Sequence, residues 1–153
     1  ASDWERALVG YQRWNDNEKG EDPAQIRREL KRVMQDSFGV FRDAEPMAKG
    51  LEKLSELNER LKKAYLGDKS QTFNLARIEC LELNNLMQVA LATARLANNR
   101  TESRGAHSRY DYKDRDDKHW LKHSIITSDG SISYRHVNRQ PRNVEPIPLQ
   151  DRE

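Results

Sequence analysis

The 153-residue sequence has one cysteine, Cys80, so no internal disulfide can form. Cys80 lies within an apolar helical pattern, where a free thiol behaves as a small hydrophobe and a reducing compartment is expected. No apolar run is long enough to span a bilayer, so any membrane link is expected to come through a partner. No signal peptide is visible at the start. Neither sign of charge dominates. The net charge is only +2, with Lys and Arg interleaved among Asp and Glu, as in Arg27-Arg28-Glu29 and Asp114-Arg115-Asp116. A nucleic-acid binder would carry a basic stripe, so this class is excluded in favour of a solvated mixed-charge surface. A glycine-rich phosphate loop and a dinucleotide fingerprint are both missing, which argues against a nucleotide site within the chain.

Apolar residues are also scarce, at 35%, against 34% charged. A chain this polar suits an elongated helical layer, or a domain that covers part of its surface with a neighbour. Its length allows one core. Trp4, Ala7, Leu8 and Tyr11 recur at helical spacing between Ser2 and Trp14. Asp22-Pro23-Ala24-Gln25 predicts a helix start, with Asp22 as cap, Pro23 in the first turn, Gln25 reaching back and Gly39 as the stop. Ile26, Leu30, Val33 and Met34 form its apolar face. Asp43-Ala44-Glu45-Pro46 opens the next helix, which carries Met47, Leu51, Leu54, Leu57 or Asn58, Leu61 and Tyr65 to an end at Gly67. Its leucine stripe is read as a bundle seam rather than a dimerising coiled coil. A third helix, from about Thr72 to Asn98, is apolar on more than one face. Two shorter amphipathic helices cannot cover all of it, so the N-terminal helix or something outside the chain must help.

The character changes after Asn98. Residues 99–123 form a charged, Arg- and Asp-rich loop. Ser124 to Thr127 and Ile132 to Arg135 read as strands about an Asp129-Gly130 turn. The segment from Asn138, with Pro141, Pro146 and Pro148, reads as an extended arm. The expected fold is a single, mostly α domain over residues 1–153: an antiparallel three-helix bundle, spectrin-repeat-like, with an extra N-terminal helix, a small C-terminal hairpin and an extended tail. Ile26, Leu30, Val33, Leu51, Leu54, Leu61, Ile78, Leu86 and Val89 are the expected core.

Candidate chemistry is sparse. His119 and His123 stand four apart, a spacing that can hold a metal on a helix, but no third ligand follows at a familiar spacing. His107, Ser108 and Asp111 suggest a nucleophile set without an accompanying oxyanion turn. Asn99-Arg100-Thr101 is formally a glycosylation acceptor. None of these makes a convincing active site.

One run is specific for another reason. Thr101-Glu102-Ser103-Arg104-Gly105-Ala106-His107 is followed by Arg109, Tyr110-Asp111-Tyr112, Arg115-Asp116-Asp117 and Trp120-Leu121-Lys122-His123. This order and spacing resemble a signature of the C-terminal domain of succinate dehydrogenase and fumarate reductase flavoproteins. The resemblance extends to Phe38-Gly39-Val40-Phe41-Arg42-Asp43, to the long alanine-rich helix and to Asn143-Val144-Glu145-Pro146. That last run tilts the reading towards succinate dehydrogenase over fumarate reductase. L-aspartate oxidase shares the Glu-Ser-Arg-Gly-x-His element but lacks the Trp-x-Lys-His continuation. The short interval from Arg109 to Trp120 resembles bacterial members.

The resemblance implies a parent enzyme that exchanges a hydride between succinate and FAD. It also implies partners: the flavin-binding domain of the same polypeptide, an iron–sulfur subunit and, indirectly, membrane anchor subunits. The implied location is the cytoplasmic side of a bacterial inner membrane. Catalytic and FAD-contacting residues of the family precede the matched region, so none is carried over, and the fragment alone is expected to be inactive. Beginning at Ala1, without Met, the sequence is expected to be a domain cut from a longer chain; a free-standing interaction module is the competing class. For Glu102, Ser103, Arg104, Gly105, His107, Arg109, Asp116, Asp117, Trp120 and His123 two structural roles are open. One has their forked donors reaching a neighbouring domain; the other has them knotting the end of the long helix internally.

Overall fold

The computed structural model describes residues 2–140 and 142–145. Five helices and two small two-stranded sheets follow in chain order: α1 Asp3–Asp16, α2 Pro23–Phe38, β1 Phe41–Arg42, α3 Ala44–Lys62, α4 Leu75–Asn99, β2 Ser108–Arg109, α5 Asp117–Trp120, β3 Lys122–Ile126 and β4 Ile132–His136. The protein is mostly helical, as its periodicity predicts.

Helix boundaries follow local chemistry. The Asp22 carboxylate accepts from the Ala24 N–H at 2.9 Å and Pro23 opens α2. Gln25 does not reach back; it donates forward to Glu29 at 3.1 Å. The Asp43 carboxylate accepts from the Ala44 N–H at 2.7 Å at the start of α3. α3 stops at Lys62, short of the expected Gly67. The Asn74 side chain accepts from the Arg77 N–H at 2.8 Å and caps α4, which begins at Leu75 rather than Thr72.

α2, α3 and α4 pack pairwise. Gly50 of α3 lies against the end of α2, where an added Cβ would meet the Ser37 Cβ at 2.5 Å and the Phe38 ring at 2.7 Å. Ten residues on, Arg60 holds Glu29 and Glu21 near the start of α2. The two helices therefore run antiparallel. The Arg60 guanidinium holds the Glu29 carboxyl at about 2, well below its ordinary value. Arg27 of α2 donates to the Glu79 carbonyl at 2.9 Å, while Phe38 shares a groove with Val89 and Thr93, so α4 runs back alongside α2.

Ile26, Leu30, Met47, Leu54, Leu57, Leu61, Leu83 and Met87 are buried in the core, with Val33 and Leu51 packed at its margin. Three expected core residues are not there. Ile78, Leu86 and Val89 are 51%, 39% and 62% exposed. The buried side of α4 is instead Cys80, Leu83, Met87, Ala90, Ala94 and Ala97. A helix apolar nearly all round does not announce which side meets its neighbours. Burial pushes the Cys80 thiol up to about 11, so it remains an uncharged core group.

α1 also departs from its expected face. Trp4 and Leu8 are exposed, and Trp14 is the residue it buries. The helix meets the rest of the domain through its C-terminal half, where Arg77 of α4 lies over the Tyr11 ring at 4.9 Å and the Tyr11 hydroxyl donates to Gln71 at 2.7 Å. There Arg13 donates to the Leu61 and Lys62 carbonyls at 3.0 Å, satisfying the end of α3, and stacks over the Trp14 ring. The hairpin forms about Asp129-Gly130 as expected, with Ile126 opposite Ile132 and Gly130 at φ +85°. The expected proline arm lies largely outside the described residues.

Candidate functional site

Residues 100–124 fold over the C-terminus of α4 and around one buried carboxylate. Glu102 has no exposed surface. It accepts from Arg104 Nε at 2.8 Å and Nη2 at 3.0 Å, from Arg100 Nη1 and from the Asp116 N–H at 2.9 Å. Burial alone would push its carboxyl up. The bonds from Arg104, Asp116 and Arg100 outweigh that and hold it below the ordinary value. Arg104 continues to Asp117, and Asp117 to Arg115 at 3.2 Å.

The backbone around Glu102 is closed by short-range bonds. Arg104 and His107 exchange N–H···O bonds at 2.8 and 2.9 Å across a turn in which Gly105 takes φ +56°. That left-handed conformation is the reason for glycine. The Ser103 hydroxyl accepts from the Arg109 N–H at 2.8 Å and donates to the Tyr112 carbonyl at 2.6 Å. Arg109, 3% exposed, grips Asp111 and donates to the Asn98 and Arg100 carbonyls at 3.2 and 3.0 Å. It thereby satisfies the open C-terminal carbonyls of α4, where a cation is also favoured by the helix dipole.

Arg42, from the corner after α2, completes the knot. It donates to the Phe38 and Gly39 carbonyls and, at 2.7 Å, to His107 Nδ1. The other ring nitrogen, Nε2, then carries the proton towards the Arg100 carbonyl at 3.2 Å. Burial, with Arg42, Arg109 and Arg100 nearby, lowers the His107 pKa and keeps the ring neutral. β1 and β2 pair in parallel beside it, Phe41 opposite Ser108 and Arg42 opposite Arg109.

On the far side, Arg100 donates to the Trp120 and Lys122 carbonyls at 2.9 and 2.7 Å and lies over the Trp120 ring. The Trp120 indole donates to Thr101 Oγ at 3.0 Å and meets Tyr134 edge-on. Asp116 caps α5 by accepting from the His119 N–H at 3.0 Å.

The structure thus joins Glu102, Ser103, Arg104, Gly105, His107, Arg109, Asp116, Asp117 and Trp120 in one connected network. His123 is apart, an exposed strand residue opposite Arg135. Its suggested pairing with His119 on a helix does not arise, because α5 ends at Trp120. Among the described residues no group of three or more His, Cys, Asp or Glu is placed to hold a metal. His107, Ser108 and Asp111 do not assemble as a nucleophile set: the imidazole bonds Arg42, and Asp111 takes Arg109. Arg42, Arg100 and Asp111 join the network from outside the ten candidate residues, although Asp111 stands in the Tyr110-Asp111-Tyr112 part of the signature. Phe41-Arg42 was visible only as part of the corner after the first bundle helix.

The family described as fumarate reductase flavoprotein C-term matches residues 27–153. The chain belongs to this family. It is similar to the succinate dehydrogenase flavoprotein subunit of Coxiella burnetii, 52% identical over 99% of this chain and 26% of that subunit. It is also similar to the fumarate reductase flavoprotein subunit of Mycobacterium tuberculosis, 38% identical over 74% of this chain and 20% of that one. Among solved structures, a quinol fumarate reductase of E. coli superposes with a TM-score of 0.80 at 33% identity, covering 93% of this chain and 25% of the other. The flavoprotein C-terminal domain described here therefore spans about a quarter of the length of such relatives.

FAD is the cofactor this family implies, and the knot does not fit it. A dinucleotide pyrophosphate is held by free backbone N–H groups at a glycine turn. At the Gly105 turn the Arg104 and His107 N–H groups are bonded to each other's carbonyls. No helix among the described residues is long and apolar enough to cross a membrane.

Proposed function

We propose that this chain is the C-terminal structural domain of a succinate dehydrogenase flavoprotein subunit. In this reading the parent binds FAD in its preceding domains and oxidises succinate to fumarate. Electrons pass through an iron–sulfur subunit to quinone, and the complex sits peripherally on the cytoplasmic face of a bacterial inner membrane. The domain itself performs no chemistry; it braces the flavoprotein. The observation that carries this role is the Glu102 knot. Arg100, Arg104 and Arg109 donate to acceptors within the domain. The internal capping role is therefore favoured over donors reaching a neighbour.

The 52% identity to a succinate dehydrogenase subunit, against 38% to a fumarate reductase subunit, favours the oxidative direction. The close superposition on a fumarate reductase supports the second reading, in which the parent runs the reverse reaction.

The test is made on native membranes. An antibody to this chain is used to blot a denaturing gel, which is also viewed under ultraviolet light. A fluorescent band several times heavier than 17.9 kDa supports a flavinylated parent. A dark band at the chain's own size would make it an independent module. In the complete enzyme, Arg104→Ala and His107→Ala should lower the stability of the helical domain and leave flavin occupancy intact. Loss of flavin and domain docking, with the helical domain unchanged, would instead indicate an interface role.

A further inference from the structure

Three cations gather where α1 meets α4 and the loop before it. Arg13 donates to the Leu61 and Lys62 carbonyls and, at 3.0 Å, to Asn84 Oδ1. Lys69 donates to the Asn15 and Asn17 carbonyls at 2.6 and 2.7 Å. Arg77 donates through Nη2 to the Lys69 carbonyl at 3.1 Å and covers the Tyr11 ring. None of the three has a carboxylate partner among the described residues.

Arg77 is the unusual member. It is 4% exposed, and a guanidinium does not give up its charge. Its Nε and Nη1 are buried and find no acceptor among the described residues, and neither does the buried indole Nε1 of Trp14. These donors share one place. Tyr11 and Trp14 stand three apart on α1, hence on one face, and Tyr11 lies under Arg77. Lys69 fastens the same end of α1 to Arg77, because its ammonium holds the Asn15 carbonyl and its own carbonyl accepts from Arg77.

The surroundings bring no counter-charge inside. Cys80, one turn along α4 from Arg77, is an uncharged thiol, pushed up to about 11 by burial. Asp68 feels the Arg77 charge but is exposed and accepts from the Ser70 N–H at 2.9 Å. Buried charges are ordinarily paired, and their polar atoms hydrogen-bonded. The Tyr11 ring and one carbonyl serve only part of this guanidinium.

We propose that Arg77 and Trp14 Nε1 form a binding site for a small inorganic anion of halide size, chloride in the cell. Nη2 carries a second N–H, so the anion takes it side by side with Nε or Nη1 in the forked geometry that guanidinium favours. Burial of the donors excludes larger organic acids. Asn15 Oδ1, also buried and unpaired, is an acceptor, which makes water the competing ligand. The charge decides between them: Arg13, Lys69 and Arg77 attract an anion, and water would leave Arg77 unneutralised. The bound ion would clamp the C-terminal half of α1 to the start of α4. This inference concerns the domain by itself and stands whichever direction the parent reaction takes.

The experiment uses the complete flavoprotein, prepared without chloride in sodium gluconate and then given sodium bromide at constant ionic strength. Crystals are examined for bromine anomalous scattering, and amide exchange is followed by mass spectrometry in solution. A bromine peak beside Arg77 and Trp14 is expected. Exchange in residues 11–17 and 69–77 should slow roughly tenfold at a bromide concentration about ten times its Kd, with a smaller response in residues 44–62 of α3. Arg77→Met should abolish both signals. Trp14→Phe, which keeps a ring and removes only the N–H donor, tests the site even where Arg77→Met fails to fold, and should shift the bromide midpoint several-fold upwards. Density beside Arg77 without a bromine signal would mean water and would overturn the proposal. So would a carboxylate of the polypeptide bonded to Arg77, a bromine peak with unchanged exchange (an adventitious ion only), or a Trp14→Phe midpoint equal to that of the parent.

Discussion

Glu102→Gln isolates the charge at the centre of the knot. The amide keeps the shape of the carboxylate and one acceptor oxygen, but its NH2 group faces guanidinium donors. Three bonds from Arg100 and Arg104 and one from the Asp116 N–H converge on this fully buried group. Breaking a buried ion pair from one side costs about 3–5 kcal/mol. Arg100 and Arg104 remain 15% and 26% exposed, and Arg104 keeps Asp117, so the lower end, about 3 kcal/mol, is expected here. That is a large part of the roughly 5–15 kcal/mol available to a domain. With a urea slope of about 1.5 kcal/mol/M, the midpoint followed by circular dichroism should fall by about 2 M.

The control is Glu59→Gln, whose pairing with Lys62 lies between two largely exposed side chains and should contribute no more than about 1 kcal/mol. A Glu102→Gln midpoint within about 0.5 M of the parent would refute the claim that the carboxylate organises the loop. The sign of the pH effect follows from the depressed Glu102 pKa. Its stabilisation is present above the unfolded value of about 4.3 and is lost as pH falls through the lower folded value. The variant should lack this part of the acid limb.

Other positions respond in their own ways. His107, neutral in the fold with its pKa lowered, contributes stability above about pH 6.5 that is lost as pH falls through the folded value, so His107→Gln should flatten urea midpoints measured across that range. Leu83→Ala should cost about 2–5 kcal/mol, whereas Val89→Ser in the chain alone should stay within about 0.5 kcal/mol; equal losses in denaturant titrations would mean the two sides of α4 are exchanged. Gly50→Ala gains about 1 kcal/mol of helix propensity but forces a Cβ into Ser37 and Phe38, an overpacking cost of about 1–3 kcal/mol, and a raised melting temperature would contradict the close α2–α3 approach. Leu54→Asp should unfold the bundle, since an unpaired buried carboxylate costs several kcal/mol; a helical variant with an unchanged melting point would show its side chain to be outside the core.

What was legible in the sequence was mostly local. Asp22-Pro23, Asp43, Gly39 and Asp129-Gly130 each mark an element boundary through chemistry confined to a few residues. Ile26, Leu30, Leu54 and Leu61 lie on helices with a single apolar face, and they are buried. α4 has two apolar faces, so Ile78, Leu86 and Val89 looked as inward as Leu83 and Met87. Trp14 was less visible, because α1 docks by its C-terminal half and not along a full-length stripe. Within the loop, the run from Thr101 to Trp120 marked a connected feature, but the charged string does not reveal that Arg42 enters it from 65 residues away. Arg100 looked like an ordinary surface charge, and Asp111, visible in the signature and in the suggested nucleophile set, gave no sign that its partner is Arg109.

The separation between Arg42 and His107 has a kinetic consequence. α2 and α3 meet through a short corner, so their pairing closes quickly from neighbouring chain. The β1–β2 pair and the Arg42–His107 bond require two distant segments to meet, and the entropy of closing that loop is affordable only after α4 has docked between them. The charged loop should therefore be the last part to acquire its native form. Until then the arginines of residues 100–109 remain available to solvent, and the domain passes through a stage in which its bundle is built but its latch is still open.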